Sequence, residues 1–281
     1  MSAKIKTIAK INFLSIRKRY EHKLGISLSG GSARGYAHVG VLKALKEHGV
    51  EPDVISGTSM GAVVGILYAA GFEPLEIQEI LIKESFSKVT GFSWRRTGLL
   101  KMEKLKVVLE KYIPEDDFSG LKKPFYMGLS NLNQARQEIR NTGPIYDYLI
   151  ASCSVPGFFA PVIIEDEYFV DGGLICNLPA AAIRERCRYL IGSHVNFSGE
   201  KTGFTGPKGI MERALNLGIN QNTRPQMELC DFVIDPPKMQ HYSLFEFSKI
   251  EEIIEVGYSH TQEMIEAGDI PVKKLAVKKK V

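Results

Sequence analysis

Ser59 stands at the centre of Gly57-Thr58-Ser59-Met60-Gly61, a Gly-x-Ser-x-Gly run between two apolar segments. Asp53-Val54-Ile55-Ser56 before it reads as a short buried strand, and residues 60–70 after it as a buried helix closed by Gly71. Strand, tight turn, helix is the geometry of a nucleophile elbow: the glycines keep side chains off the turn, so the serine oxygen stands clear. The free N–H groups and dipole of the helix start favour negative charge developing beside that oxygen. Acyl transfer needs two further parts, a base and donors for an oxyanion.

The run Gly30-Gly31-Ser32-Ala33-Arg34-Gly35 follows the alternating strand 24–29 and opens a helix, so its backbone N–H groups can form an anion nest. It fits a dinucleotide fingerprint poorly, because Ser32 stands where glycine is needed. It also fits a phosphate-binding P-loop poorly, because Tyr36 and Ala37 replace the lysine and hydroxyl residue. For the base, the residues leave several candidates. Asp171 ends the run Tyr168-Phe169-Val170 and precedes Gly172-Gly173. It is either an acid delivered to a sheet's carboxyl edge or the first residue of an ordinary Asp-Gly turn. His194 after a strand, or His241, would instead make a Ser-His-Asp esterase, and a lipid-binding protein without catalysis would require none of these groups.

The elements that must position these residues alternate. Strands are expected at 24–29, 53–56, 124–132, 137–140, 161–164, 167–170, 189–195 and 231–235. Helices are expected at 36–48, 60–70, 74–84, 102–112, 146–152, 179–187, 209–220 and 247–267. The opening β-α-β-α order with short connections implies a parallel sheet covered by helices. No repeat or Pro/Gly/Ser linker divides the chain, so a basic segment 1–23, one domain over 24–270 and a lysine-rich tail 271–281 are expected.

Composition narrows the class. Hydrophobic residues are 44% and charged residues 24% of 281, ordinary for a globular protein, and no apolar run reaches membrane-span length. The N-terminus lacks a signal-peptide pattern. Cys153, Cys176, Cys187 and Cys230 have no metal-ligand spacing and read as reduced thiols of a cytoplasmic protein. The six histidines form no zinc motif, so neither a metal nor a cofactor is expected. Residues 1–23 carry seven Lys/Arg against one Glu, and 271–281 five Lys against no acid. Basic ends on an acidic body, together with the aromatic loop around Phe92 and Trp94, suit peripheral contact with an anionic membrane; solvated tails account for the charge equally well. No nucleic-acid motif is present. The oligomeric state is left open.

Three segments in order resemble the patatin-like phospholipase family: Gly30–Gly35, the Gly57–Gly61 elbow, and Asp171-Gly172-Gly173-Leu174-Ile175-Cys176-Asn177-Leu178-Pro179. The stretch from Ala151 to Pro161 resembles that family as well. The resemblance implies a three-layer α/β/α sandwich with a mostly parallel central sheet and a lipid acyl hydrolase acting on phospholipid or similar esters without metal. It implies Ser59 as nucleophile, Asp171 as its base, and amides of Gly30, Gly31 and Ser32 as the oxyanion hole. It assigns Arg34 to loop support or head-group attraction. Ser29 replaces a third glycine common in the family, which leaves open which amides line the hole.

Overall fold

The computed structural model describes residues 20–84, 98–200, 203 and 206–276. The loop around Phe92 and Trp94, residues 1–19 of the basic N-terminal segment and residues 277–281 of the lysine-rich tail lie outside the described residues. Eight strands form one sheet: β1 (His22–Leu28), β2 (Val54–Thr58), β3 (Phe125–Asn131), β4 (Arg136–Arg140), β5 (Val162–Ile164), β6 (Glu167–Asp171), β7 (Cys187–Ser193) and β8 (Phe232–Ile234). The central run β8–β7–β1–β2–β3 is parallel throughout. β4 and β6 are antiparallel to β3, and β5 pairs antiparallel with β6. The expected three-layer α/β/α arrangement with a mostly parallel sheet is what the chain adopts.

The helices are α1 (Ala37–Glu47), α2 (Met60–Ala70), α3 (Pro74–Lys83), α4 (Gly98–Tyr112), α5 (Tyr146–Ser152), α6 (Ala181–Arg184), α7 (Gly206–Met227), α8 (Ile250–Ala267) and α9 (Val272–Leu275). β1 and β2 are buried on both faces, which explains why the positions of β1 that alternate with its apolar residues are the small Gly25 and Ser27 rather than charged. The larger core joins Leu24, Ile26 and Leu28 of β1 to α1, α2, α3 and α8. The smaller one packs Val54, Leu190 and Tyr126 under Leu178, Ile183 and the end of α7. Gly40 of α1 faces the backbone of α8, and Gly257 of α8 faces the backbone of α1; a methyl group at either position would strike main chain. That close crossing anchors the helix that starts directly after the glycine loop.

Two boundaries move from the sequence reading for physical reasons. The expected helix 179–187 contracts to α6, because Cys187 is already paired with His22 as the first residue of β7. The expected helix 209–220 extends to Met227, because its inward face is polar and apolar periodicity fades before the helix does. The core also continues past residue 270: Leu275 is buried, and Lys23 Nζ donates to the Ala276 carbonyl at 2.5 Å.

Candidate active site

β3 brings the distant segments together. Along one edge it pairs with β4 from Met127 to Asn131. Its other edge is shared: β2 runs up it and ends with Thr58 opposite Gly128, while β6 runs down it and ends with Asp171 opposite Leu129. The two strands therefore meet end to end, and Ser59 and Asp171, 112 residues apart in sequence (171 minus 59), emerge at the junction. The fit is close. A side chain at Gly172 would lie 2.6 Å from the Gly128 carbonyl and 2.9 Å from the Thr58 methyl.

Ser59 occupies the N-cap of α2 with φ 54° and ψ −127°, a left-handed conformation that costs a non-glycine residue about 1–3 kcal/mol. Packing enforces it. A side chain at Gly57 would meet the Gly61 carbonyl at 2.5 Å, and one at Gly61 would meet the carbonyls of Leu28 and Ser29 at the same distance. The Ser59 N–H donates to Ser152 Oγ at 3.0 Å, whose own hydroxyl donates to the Gly128 carbonyl at 2.8 Å.

Asp171 is 5% exposed and caps the turn Gly172–Leu174, accepting the Gly173 N–H at 2.7 Å. Ser59, across the strand junction, is the side chain that favours its ionised form. Burial raises its pKa from 3.8 to about 6; the hydrogen bonds from Ser59 and Gly173 oppose that rise without cancelling it. An acid of this strength is still mostly ionised at neutral pH, yet is a better base than a solvated aspartate.

The glycine loop lies against this pair, with a side chain at Gly30 reaching within 3.1 Å of Ser59 Cβ. One expectation changes here. The Gly30 N–H donates to the Asn177 carbonyl at 3.0 Å, so it is not among the amides left to face a substrate. Gly31 and Ser32 are the two whose N–H groups have no acceptor among the described residues, and Ser32 has φ 49°. The Gly30 carbonyl is held from both sides, by Asn177 Nδ2 at 3.3 Å and Asn196 Nδ2 at 2.5 Å. Beneath the loop, His38 Nε2 lies 2.8 Å from the Ser29 carbonyl, which only accepts; Nδ1 therefore accepts from Ser193 Oγ at 2.8 Å. Burial, the dominant cause, drives the His38 pKa down to about 4, so this strut is neutral at neutral pH. Arg34 is 5% exposed, donates from its backbone to the Gly31 carbonyl and from Nε to the Tyr242 carbonyl, and braces the loop.

α7 is turned inside out. Ile210, Met211 and Leu217 point outward at 59%, 60% and 46% exposure, while Asn216 and Thr223 are buried. Its inward amides tie the site together. Asn222 Nδ2 donates to the Gly173 carbonyl at 2.9 Å and Asn222 Oδ1 accepts the Asn177 N–H at 3.1 Å. Asn220 Nδ2 donates to the Asn196 carbonyl at 3.0 Å. One chain of amides thus links the Asp171 turn to the glycine loop. Sequence reading missed Ser152, Asn196, Asn220, Asn222 and the role of His38. Ser152 lies in the Ala151–Pro161 stretch and Asn177 in the Asp171–Pro179 stretch, but nothing local marks Asn222.

The alternative bases sit elsewhere. His194 Nδ1 pairs with Asp235 Oδ1 at 2.9 Å, and its buried Nε2 has no partner among the described residues. His241 lines a cavity with Arg34. No group of three or more metal-binding side chains stands together among the described residues, and none of their helices is long and apolar enough to cross a membrane.

Fold and site together define an α/β protein with a strained strand–serine–helix turn at the carboxyl edge of a mostly parallel sheet. Residues 26–183 match the model of the patatin-like phospholipase family, and the chain belongs to that family of lipid ester hydrolases. It is similar to the lysophospholipase NTE1 of Kluyveromyces lactis, with 28% identity over 86% of this chain and 19% of that protein. The lysophospholipase NTE1 of Saccharomyces cerevisiae is 27% identical over 84% of this chain and 16% of its own length. The chain therefore spans less than a fifth of these relatives. Among solved structures, VipD from Legionella pneumophila shares the fold, with a TM-score of 0.53 at 13% identity over 88% of this chain and 67% of that one.

Proposed function

We propose that this chain is a serine lipid acyl hydrolase of the phospholipase A or lysophospholipase type, working through a Ser59–Asp171 dyad. The observation that carries the reading is the meeting of the strained elbow serine with a buried, weakly acidic carboxylate where β2 and β6 end on one edge of β3. Asp171 takes the Ser59 hydroxyl proton as Oγ attacks the ester carbonyl carbon. The resulting oxyanion is received by the Gly31 and Ser32 amides, where one donor is typically worth about 3 kcal/mol. Collapse breaks the ester C–O bond, and Asp171 returns the proton to the departing alcohol. Water then attacks the acyl-enzyme, giving its proton to Asp171, and the freed acid leaves as Ser59 regains its hydrogen. The lysophospholipase relatives support a lipid ester with one acyl chain as substrate.

Peripheral contact with a lipid surface belongs to the same reading. The outward apolar side chains Ile210, Met211 and Leu217 of α7 and the half-exposed Leu174 beside the Asp171 turn supply exposed apolar groups on the elements that carry the site. Labelling with a fluorophosphonate tests the chemistry: the adduct is expected on Ser59 in folded protein and absent in Ser59→Ala. Full turnover by Asp171→Asn would exclude the dyad, and no Ser59 adduct would favour a lipid-binding role. Cosedimentation with vesicles tests the surface, with Ile210→Ser/Leu217→Ser expected to pellet less while hydrolysing a soluble short-chain ester normally.

A further inference from the structure

A cavity of about 230 Å³ lies beside the glycine loop, and neither Ser59 nor Asp171 lines it. Its walls include Arg34, Phe197, Glu200, Arg213, Asn216 and His241. The sequence reading singled out only Arg34 and His241, and the family match ends at residue 183, before most of these residues begin. Three features give the cavity a definite chemistry. Arg213 is held in place by neutral acceptors, Ser198 Oγ at 2.5 Å and the Gly199 carbonyl at 3.0 Å, so these contacts orient its guanidinium without cancelling the charge. Arg34, fixed by the Tyr242 carbonyl at 2.8 Å, brings a second guanidinium to the same space. Asn216 is 6% exposed, and its Oδ1 has no partner among the described residues.

Two guanidiniums at one space give it the positive charge that a phosphate needs, and the planar N–H donors of Arg213 match phosphate oxygens. A buried amide oxygen without a partner calls for a hydrogen-bond donor from whatever fills the space. Glu200 and the Phe197 ring offer a carboxylate and an aromatic face to a positive group. A free inorganic anion would use the first feature and leave the others idle. A phosphate ester bearing a hydroxyl or ammonium group uses all three.

The cavity is also joined mechanically to the chemistry. The Arg34 N–H bonds the Gly31 carbonyl at 3.0 Å, and Asn196, directly before Phe197, donates to the Gly30 carbonyl. We infer that this cavity is the subsite for the phosphate-bearing polar head of the lipid substrate, with Arg213 and Arg34 on the phosphate and Asn216 and Glu200 on the hydroxyl or ammonium group. The inference rests on the hydrolase reading above, and adds that the enzyme selects esters by the alcohol side.

The test compares a lysophosphatidylethanolamine with a monoacylglycerol of the same chain, using wild type and Arg213→Gln. The expected result is a KM about tenfold higher for the phosphate-bearing substrate in the variant, with the monoacylglycerol kinetics unchanged. Equal losses on both substrates would mean that Arg213 only supports the loop, and no change on either would remove the subsite; both results overturn the inference. A binding arm is independent of turnover. Ser59→Ala protein, titrated calorimetrically with glycerophosphoethanolamine, should bind it, and Ser59→Ala/Arg213→Gln should bind it about tenfold more weakly. Inorganic phosphate binding equally well would overturn the lipid-head assignment. Wild type that hydrolyses neither ester would count against the hydrolase reading, and the calorimetry would still decide the cavity.

Discussion

Replacing Asp171 with asparagine should make the protein more stable while stopping its chemistry. Burial lifts the Asp171 pKa from 3.8 to about 6, so the folded state holds its proton where the unfolded chain has lost it. Between those two values the native state binds more protons than the unfolded state, and stability falls as pH rises. The cost is absent below 3.8 and fully present above 6. At about 1.4 kcal/mol for each factor of ten, that interval amounts to about 3 kcal/mol at pH 8. Asparagine carries no charge to desolvate. Its Oδ1 can still accept the Gly173 N–H, and its Nδ2 can donate to Ser59 Oγ. Thermal unfolding of wild type and Asp171→Asn at pH 8, 6 and 4 reads the difference. The variant should melt roughly 6 °C or more higher at pH 8, taking about 2 °C per kcal/mol for a chain of this size, and the gap should close toward pH 4. Equal melting temperatures at pH 8, or a less stable variant there, would refute the claim that this carboxylate is held ionised against its surroundings.

Three further outcomes are expected. Wild-type kcat/KM should be half-maximal near pH 6 and fall about tenfold for each pH unit below it, since Asp171 acts only when ionised; a flat profile from pH 5 to 8 would contradict that role. Asn222→Ala removes the ties to the Gly173 carbonyl and the Asn177 N–H, so kcat should drop roughly 10- to 100-fold with little change in KM, and Ser59 labelling should slow in step. Gly61→Ala would set a methyl group 2.5 Å from the carbonyls of Leu28 and Ser29, and should cost more than about 3 kcal/mol, seen as a large fall in melting temperature or loss of soluble protein.

Much of the framework was legible because local chemistry and fold agree. β1 and β2 read as strands because both faces are buried, and α2 read as a helix because its apolar run is closed by Gly71 at φ 99°. The elbow and the Asp-Gly-Gly turn were legible for a different reason: only glycine fits where Gly61 and Gly172 meet neighbouring backbone. α7 was legible only in part. Its buried side chains are Asn216 and Thr223, and a hydrophobic-periodicity reading cannot see a helix packed by its polar face. The loop amides divide in the same way. Glycines at 30 and 31 announced a nest, but which N–H groups stay open depends on the Asn177 carbonyl, 147 residues away, taking the Gly30 donor.

The amino-acid order by itself determined which residues could carry chemistry: a serine between glycines, an acid before two more, and a loop that tolerates bare backbone. These are short-range properties, fixed by sterics within a few residues. Tertiary structure decided that Asp171, rather than His194 or His241, comes out beside the serine turn, through β2 and β6 sharing one edge of β3 and ending face to face at Gly128 and Leu129. It also decided the strength of that acid, because a carboxylate's pKa depends on the water removed around it, and distant segments of the chain do the removing.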